Sequence, residues 1–232
     1  MSNILNFLFP PRCPACRKVT EDEKELIHEE CRSAFKLIKE PRCFKCGKHI
    51  LDREETICQE CREKRHSYSY GFAVFEYNDT ASKAMLDFKK NGWRRNGDFF
   101  AKEAVKNLGQ LIKSMNPDVL IPVPITGRRL RERGFNQSEY LAERIGKELN
   151  ISVDKETLIR KSGRTQKELS RSERMINAPS AFECIKKPGY RSACIVDDVY
   201  TTGSTIEGCT GALLRAGVRE IGFITIFLGD VY

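Results

Sequence analysis

The stretch "IVDDVYTTGST", Ile195–Thr205, decides how the second half of the chain folds. The apolar residues Ala193–Val196 run into two adjacent acids, Asp197 and Asp198. A loop of Thr201, Thr202, Gly203, Ser204 and Thr205 follows, and then a helical pattern. A buried strand that passes through a glycine-containing loop into a helix is the unit of a parallel α/β sheet. Ligands of such sheets bind at the carboxyl ends of the strands, where the two aspartates fall. Free N–H groups and the dipole at the helix start favour a phosphate there. The acids repel a phosphate and suit neighbouring hydroxyls or a Mg²⁺ ion. The stretch therefore reads as a cradle for a phosphorylated sugar.

Outward from this stretch the pattern stays α/β. "GFAVFEY", "DVLIPVP", "SACIVDD" and "EIGFITIFL" read as strands, with Pro122 and Pro124 stopping the second. "DTASKAMLDFKK", "GDFFAKEAVKNLGQLIKSM", "NQSEYLAERIGKELN" and "STIEGCTGALLRAG" read as helices, the first capped by Asp79 and the last ending near Gly217. The polar segment "EKRHSYSY" separates this domain, residues 67–232, from the first 66 residues. Residues 161–177 are polar, basic and aperiodic, and are expected to form a mobile loop.

The first 66 residues repeat with an offset of thirty: Cys13/Cys43, Cys16/Cys46, His28/Cys58 and Cys31/Cys61. Each half reads CxxC, eleven residues, then HxxC or CxxC. Two such knuckles offer four ligands at tetrahedral spacing, which suits zinc. Two structural zinc sites are expected; a single site or a redox dithiol is the rival. Sequential pairing within each repeat is preferred to a crossed arrangement, because each repeat carries a full set of four. His49 is a possible substitute ligand and is read as a surface residue. Four protein ligands leave no open position, so the sites stabilise a unit too small for a sufficient core of its own. Cys184, Cys194 and Cys209 lie outside the pattern and are read as core residues.

At 232 residues, with 31% charged and 40% apolar composition, most of the chain is expected to fold. No apolar run is long enough to span a bilayer, so no membrane insertion is expected. The opening "MSNILNFLFPPRC" has no basic leader, so a secretory signal is not expected, and CxxC spacing then favours reduced thiolates in a cytosol. Net charge is +8, and residues 128–174 hold 13 Lys and Arg against 8 Asp and Glu. Such a field attracts phosphates, on a small molecule or on nucleic acid.

"CIVDDVYTTGST" resembles the phosphoribosyl pyrophosphate (PRPP) motif of type I phosphoribosyltransferases. With the cysteine knuckles after "FLFP", "IPVP", "RERGFNQSEYLA" and "QKELSRSERMINAPSAF", the whole chain resembles the ComF family of competence proteins. The fold expected is thus a double zinc-ribbon-like unit followed by a phosphoribosyltransferase-like α/β domain with a mainly parallel sheet. The resemblance implies that Asp197 and Asp198 hold ribose hydroxyls and Thr201–Thr205 the 5′-phosphate. It implies that Arg128 and Arg129, after "IPVP", stand where pyrophosphate binds. Lys89 is a further phosphate candidate. Arg133 and Asn136 belong to the family's "RGFN" element and Gln166 to its flexible loop. A solvated surface for the arginines and a helix cap for Asn136 are the structural alternatives.

Relatives that act on oxopurines carry an acid in the loop where this chain reads Tyr200-Thr201-Thr202. The chain lacks that carboxylate base, which argues against an oxopurine acceptor. No hood for a nucleobase is evident unless the zinc unit supplies one. The resemblance implies a role in handling single-stranded DNA during natural transformation, with partners such as an uptake helicase. Phe135 and Tyr140 are the only aromatic residues in the basic stretch, so no sequence-specific readout is expected. The alternative is a Mg²⁺-dependent transferase moving phosphoribose from PRPP to another acceptor, its site stabilising the departing pyrophosphate. A purely structural adaptor leaves the aspartate pair unexplained.

Overall fold

A computed structural model describes residues 10–20, 22, 25–161 and 181–229. The thirty-residue repeat in the sequence is also a repeat in the backbone. Bridges join Arg12 to Val19 and Arg42 to His49. The Cys13 N–H donates to Lys18 O at 2.8 Å, and the Cys43 N–H to Lys48 O at 2.7 Å. Both knuckles turn through a left-handed residue, Arg17 at φ 63° and Gly47 at φ 76°. Gly47 is the residue that must lack a side chain. A Cβ there would lie 2.8 Å from the Phe72 Cα, because the second knuckle rests on the first strand of the next domain. A 3₁₀ helix, Glu29–Ala34, closes the first repeat, and a short helix α1, Gln59–Glu63, closes the second.

The α/β domain then runs β1 (Tyr70–Glu76), α2 (Asp79–Lys90), α3 (Arg94–Met115), β2 (Val119–Pro122), α4 (Gly127–Arg133) and α5 (Gln137–Leu149). It continues through β3 (Ser152–Val153), β4 (Leu158–Arg160), β5 (Phe182–Cys184), β6 (Ser192–Tyr200), α6 (Ser204–Arg215) and β7 (Glu220–Leu228). Five strands form a parallel sheet in the order β1-β7-β6-β2-β3. β4 and β5 pair antiparallel as a separate ribbon.

Strand alternation divides the core between the two faces. Leu120, Cys194, Val196, Ile224 and Ile226 pack under α2, α3 and α5. Val119, Ile121, Ala193, Ile195 and Phe223 pack under α6 and the β4–β5 ribbon. The zinc-ribbon unit reaches both faces. Cys13, Ile27 and Phe35 join the first core, and Cys43, Cys46 and Ile50 join the second.

Several boundaries differ from the sequence reading. The cap of α2 is Asn78, whose side chain accepts from the Ala81 N–H; Asp79 is the first helical residue. α3 begins at Arg94 rather than Gly97, and β6 continues past the aspartates to Tyr200. "EKRHSYSY" is not all solvated, since Tyr68 and Tyr70 are buried. The helix α4 and strands β3, β4 and β5 are too short for a periodicity to reveal. Of the basic segment 161–177, all but Lys161 lies outside the described residues, and Gln166 with it.

Candidate functional site

The sheet changes direction between β2 and β6. From β2 the chain moves outward to β3, and from β6 it moves the other way to β7. A crevice opens beyond the strand ends at such a switch point. The segment after β2 carries Arg128 and Arg129, and the end of β6 carries Asp197 and Asp198.

The acids are fixed by elements far apart in sequence. Asp197 Oδ1 accepts from Ser138 Oγ and from the Asp198 N–H, each at 2.9 Å. Asp198 Oδ2 pairs with Lys89 Nζ at 2.7 Å, bringing the end of α2 to the crevice. Burial, together with the charge on Asp198, pushes the Asp197 carboxyl up to about 7. This carboxyl therefore changes charge near neutral pH.

The loop beyond β6 has the form of an anion cradle. Gly203 is left-handed at φ 77° and offers α6 no side-chain cap, while Thr202 Oγ1 accepts from the Ser204 N–H at 3.4 Å. A Cβ at Gly203 would sit 2.6 Å from Tyr200 Oη. Thr202 Oγ1 donates to Ser204 Oγ at 3.0 Å, while Thr201, Thr202 and Ser204 are exposed and Thr205 half-buried. Hydroxyls and free N–H groups thus converge at a helix start, as anion binding requires.

The remaining sequence candidates sit differently. Arg128 and Arg129 are exposed on α4, and Arg128 pairs with Glu132 at 3.6 Å. Neither touches the acids among the described residues. Arg133 donates to Gln137 Oε1 at 2.6 Å. Asn136 has the capping role: its side chain accepts from the Ser138 N–H at 3.1 Å and donates to Val123 O at 3.0 Å. It thereby ties the start of α5 to the exit of β2 and presents Ser138 to Asp197. Ser138 was missed by sequence reasoning, although it lies two residues beyond the "RGFN" element.

A second missed feature is the attachment of the zinc-ribbon unit to the loop. His66 Nδ1 lies 2.8 Å from Glu207 Oε1, in the first turn of α6, and the Ser67 N–H donates to the same carboxylate at 3.1 Å. His66 stacks on Tyr68, which meets Tyr200 beneath the loop.

The metal ligands fall into two clusters with sequential pairing. Cys13, Cys16, His28 and Cys31 form one, and Cys43, Cys46, Cys58 and Cys61 the other, with ligand atoms within 4.8 Å of one another. Cys46 Sγ and Cys58 Sγ are 3.8 Å apart. A tetrahedron with Zn–S bonds of about 2.3 Å has an edge of about 3.8 Å, so the donor set fits zinc. His28 turns Nδ1 toward Cys16 Sγ at 3.3 Å, and Nε2 lies 3.2 Å from Val19 O. Donation from Nε2–H would leave Nδ1 free to ligate. His49 stands outside both clusters, near Pro41 O. Cys194 and Cys209 are fully buried in the core and Cys184 packs at its edge, as expected.

Comparison with known proteins agrees with this organisation. Residues 4–65 match the double zinc ribbon domain family. The chain is 39% identical over 106 residues to DNA utilization protein YhgH of Escherichia coli O157:H7, covering 45% of this chain and 47% of that one. It is 36% identical over 109 residues to competence protein F of Haemophilus influenzae, covering 45% and 48%. It is 29% identical over 153 residues to competence protein ComFC of Bacillus subtilis, covering 62% and 58%. The chain spans about half the length of the curated relatives it matches. A purine phosphoribosyltransferase from Pyrococcus horikoshii overlaps 58% of this chain and 82% of its own, at TM-score 0.37 and 20% identity, too loosely to carry an argument. Among the described residues no helix is long and apolar enough to cross a membrane. The chain is a relative of competence protein F, competence protein ComFC and YhgH, with a double zinc ribbon in front of its α/β domain.

Proposed function

We propose that the chain binds PRPP, or a related phosphorylated ribose with Mg²⁺, and handles single-stranded DNA in the cytosol during natural transformation. The ribose reading is carried by the aspartate pair, held by Ser138 and Lys89 and followed at Gly203 by a helix start. Asp197 and Asp198 take the ribose hydroxyls, and Thr201–Thr205 take the 5′-phosphate. Lys89 and the arginines of α4 supply positive charge for pyrophosphate. The DNA reading draws support from the names of the relatives and from the net charge of +8. An uptake helicase is the kind of partner such a role requires.

The second reading is transfer of phosphoribose to an acceptor other than an oxopurine. It is favoured by two exposed arginines, Arg128 and Arg129, on the helix that follows β2, the sheet neighbour of β6.

The test is titration of PRPP with Mg²⁺. At a hundredfold excess over Kd the ligand stabilises the fold by about 2.7 kcal/mol, a rise in Tm of roughly 5–10 °C for a chain of this size. Asp197→Ala with Asp198→Ala abolishes the rise; a response retained by that variant overturns the site. Release of pyrophosphate with an added acceptor separates transfer from binding alone. Oligonucleotide binding weakens steeply with salt, because Lys and Arg side chains displace the counterions of the phosphates. Binding indifferent to salt overturns the DNA reading.

A further inference from the structure

A cleft of about 570 Å³ lies between the first zinc knuckle and the turn from α2 to α3. Its lining includes Arg12, Asn91, Trp93, Arg94, Arg95 and Asn96. Trp93 is the single tryptophan of the chain and is half-buried. No other ring stacks on it among the described residues. Asn96 is 1% exposed, and its Oδ1 has no hydrogen-bond partner among the described residues.

The charge here runs against helix convention. α3 is a helix of 22 residues with no side-chain cap and no acid in its first turn, and it opens with Arg94 and Arg95. The positive end of the dipole and two cations repel one another unless an anion lies between them. Among the described residues no carboxylate pairs with Arg12, Arg94 or Arg95. Asp98, which also lines the cleft, is already taken by Tyr140 Oη at 2.8 Å and Arg144 Nε at 2.7 Å. Arg95 is held in place by Glu25 O, accepting from Nη2 at 2.6 Å.

The cleft and the acids share their supports. Asn91, at its edge, caps α2, whose Lys89 pairs with Asp198. Arg94 lies over the Phe135 ring at 5.0 Å, three residues before the Ser138 that holds Asp197. Phe135 and Tyr140 cannot serve as open platforms, because both pack on Phe88. Trp93 is the ring left beside the cations.

We propose that this cleft binds single-stranded nucleic acid, with one base stacked on Trp93 and flanking phosphates against Arg12, Arg94 and Arg95. Stacking requires a base whose face is free, which excludes a closed duplex. Asn96 Oδ1 accepts from the exocyclic or ring N–H of the stacked base. The inference rests on the DNA-handling reading and gives it a location.

The sole tryptophan makes the test direct. Zinc-loaded full chain is titrated with an oligothymidylate of about 15 nucleotides at low salt, while Trp93 emission is followed. Saturable quenching is expected. Trp93→Ala, followed by anisotropy of a labelled strand, weakens binding roughly 5- to 150-fold. Trp93→Phe, which keeps a ring, falls between the two. Arg12→Glu, at an exposed position, weakens binding without touching the core. All three variants keep the thermal response to PRPP with Mg²⁺, which shows that they are folded. Unchanged affinity in Trp93→Ala, binding without quenching, or equal affinity for a duplex overturns the cleft as the site. If the wild-type chain binds no oligonucleotide while still responding to PRPP, the DNA-handling reading falls with it.

Discussion

Tyr68 Oη lies 2.8 Å from Tyr200 Oη, and both side chains are buried. The pair joins the segment just after the zinc-ribbon unit to the last residue of β6, directly under the proposed phosphate loop. Tyr200 stacks on Phe223 with ring centroids 4.9 Å apart, and Tyr68 meets the same ring edge-on at 4.9 Å. Burial raises both phenols well above their ordinary range, so the pair stays neutral and one hydroxyl donates to the other.

Removing one hydroxyl strands the other. Tyr68→Phe is expected to cost about 1–3 kcal/mol, because the Tyr200 hydroxyl is left buried without its partner. Tyr68→Phe with Tyr200→Phe should recover most of that loss, since no polar group then remains unsatisfied. A denaturant double-mutant cycle measures both. Additive losses would mean that the contact contributes nothing specific. Gly203→Ala attacks the same contact from above, through the left-handed backbone and the close approach of Tyr200. It should weaken PRPP binding more than it lowers stability.

The Asp197 carboxyl gives the fold a pH dependence of unusual sign. Its ordinary value of 3.8 is raised in the folded chain to about 7 by burial and by Asp198. Between those values the folded state keeps a proton that the unfolded state releases. Stability is therefore greatest below the lower value and declines as pH rises toward the upper one, by up to roughly 1.4 kcal/mol per pH unit. Asp197→Asn accepts the same two hydrogen bonds without titrating. Urea midpoints measured from about pH 5 to 8 should fall for the wild type and stay flatter for the variant. Parallel curves would place the titration elsewhere.

The parts of the site that read from sequence are those fixed by local chemistry. Ligand spacing located both metal clusters, and "VDDVYTTGST" located the helix start and placed the strand end within two residues, because each is set by a few consecutive residues. β7 occupies the segment read from its apolar run. The supports of the acids come from elsewhere. Ser138 reaches Asp197 across 59 positions, and Lys89 reaches Asp198 from another helix. No periodicity encodes such pairings. The buried Tyr68 was hidden in a polar segment, because its partner lies 132 residues away. Asn136 showed the opposite limit. It belongs to the family's "RGFN" element with a helix cap as the structural alternative, and its contacts are those of a helix cap.

The first zinc cluster is tied to α2 and α3, and the second leads to the loop beyond β6. Beside the first cluster, Arg17 forms a two-pronged pair with the buried Asp87 at 2.9 and 3.2 Å, two residues before Lys89. Arg32 reaches Glu103 on α3 at 2.9 Å. The second cluster leads through α1 to His66 and Tyr68 and so to the loop. Metal analysis should find about two zinc per chain. With sequential pairing, Cys16→Ser together with Cys31→Ser damages one site only and leaves about one zinc. Crossed pairing would place those two cysteines in different sites and leave none, so a zinc-free double variant overturns the assignment. The surviving cluster should still hold the loop through Glu207, while the end of α2 loosens. PRPP affinity should then fall through Lys89 and Asp198, and Arg17→Ala, with both zinc ions retained, should reproduce part of that fall.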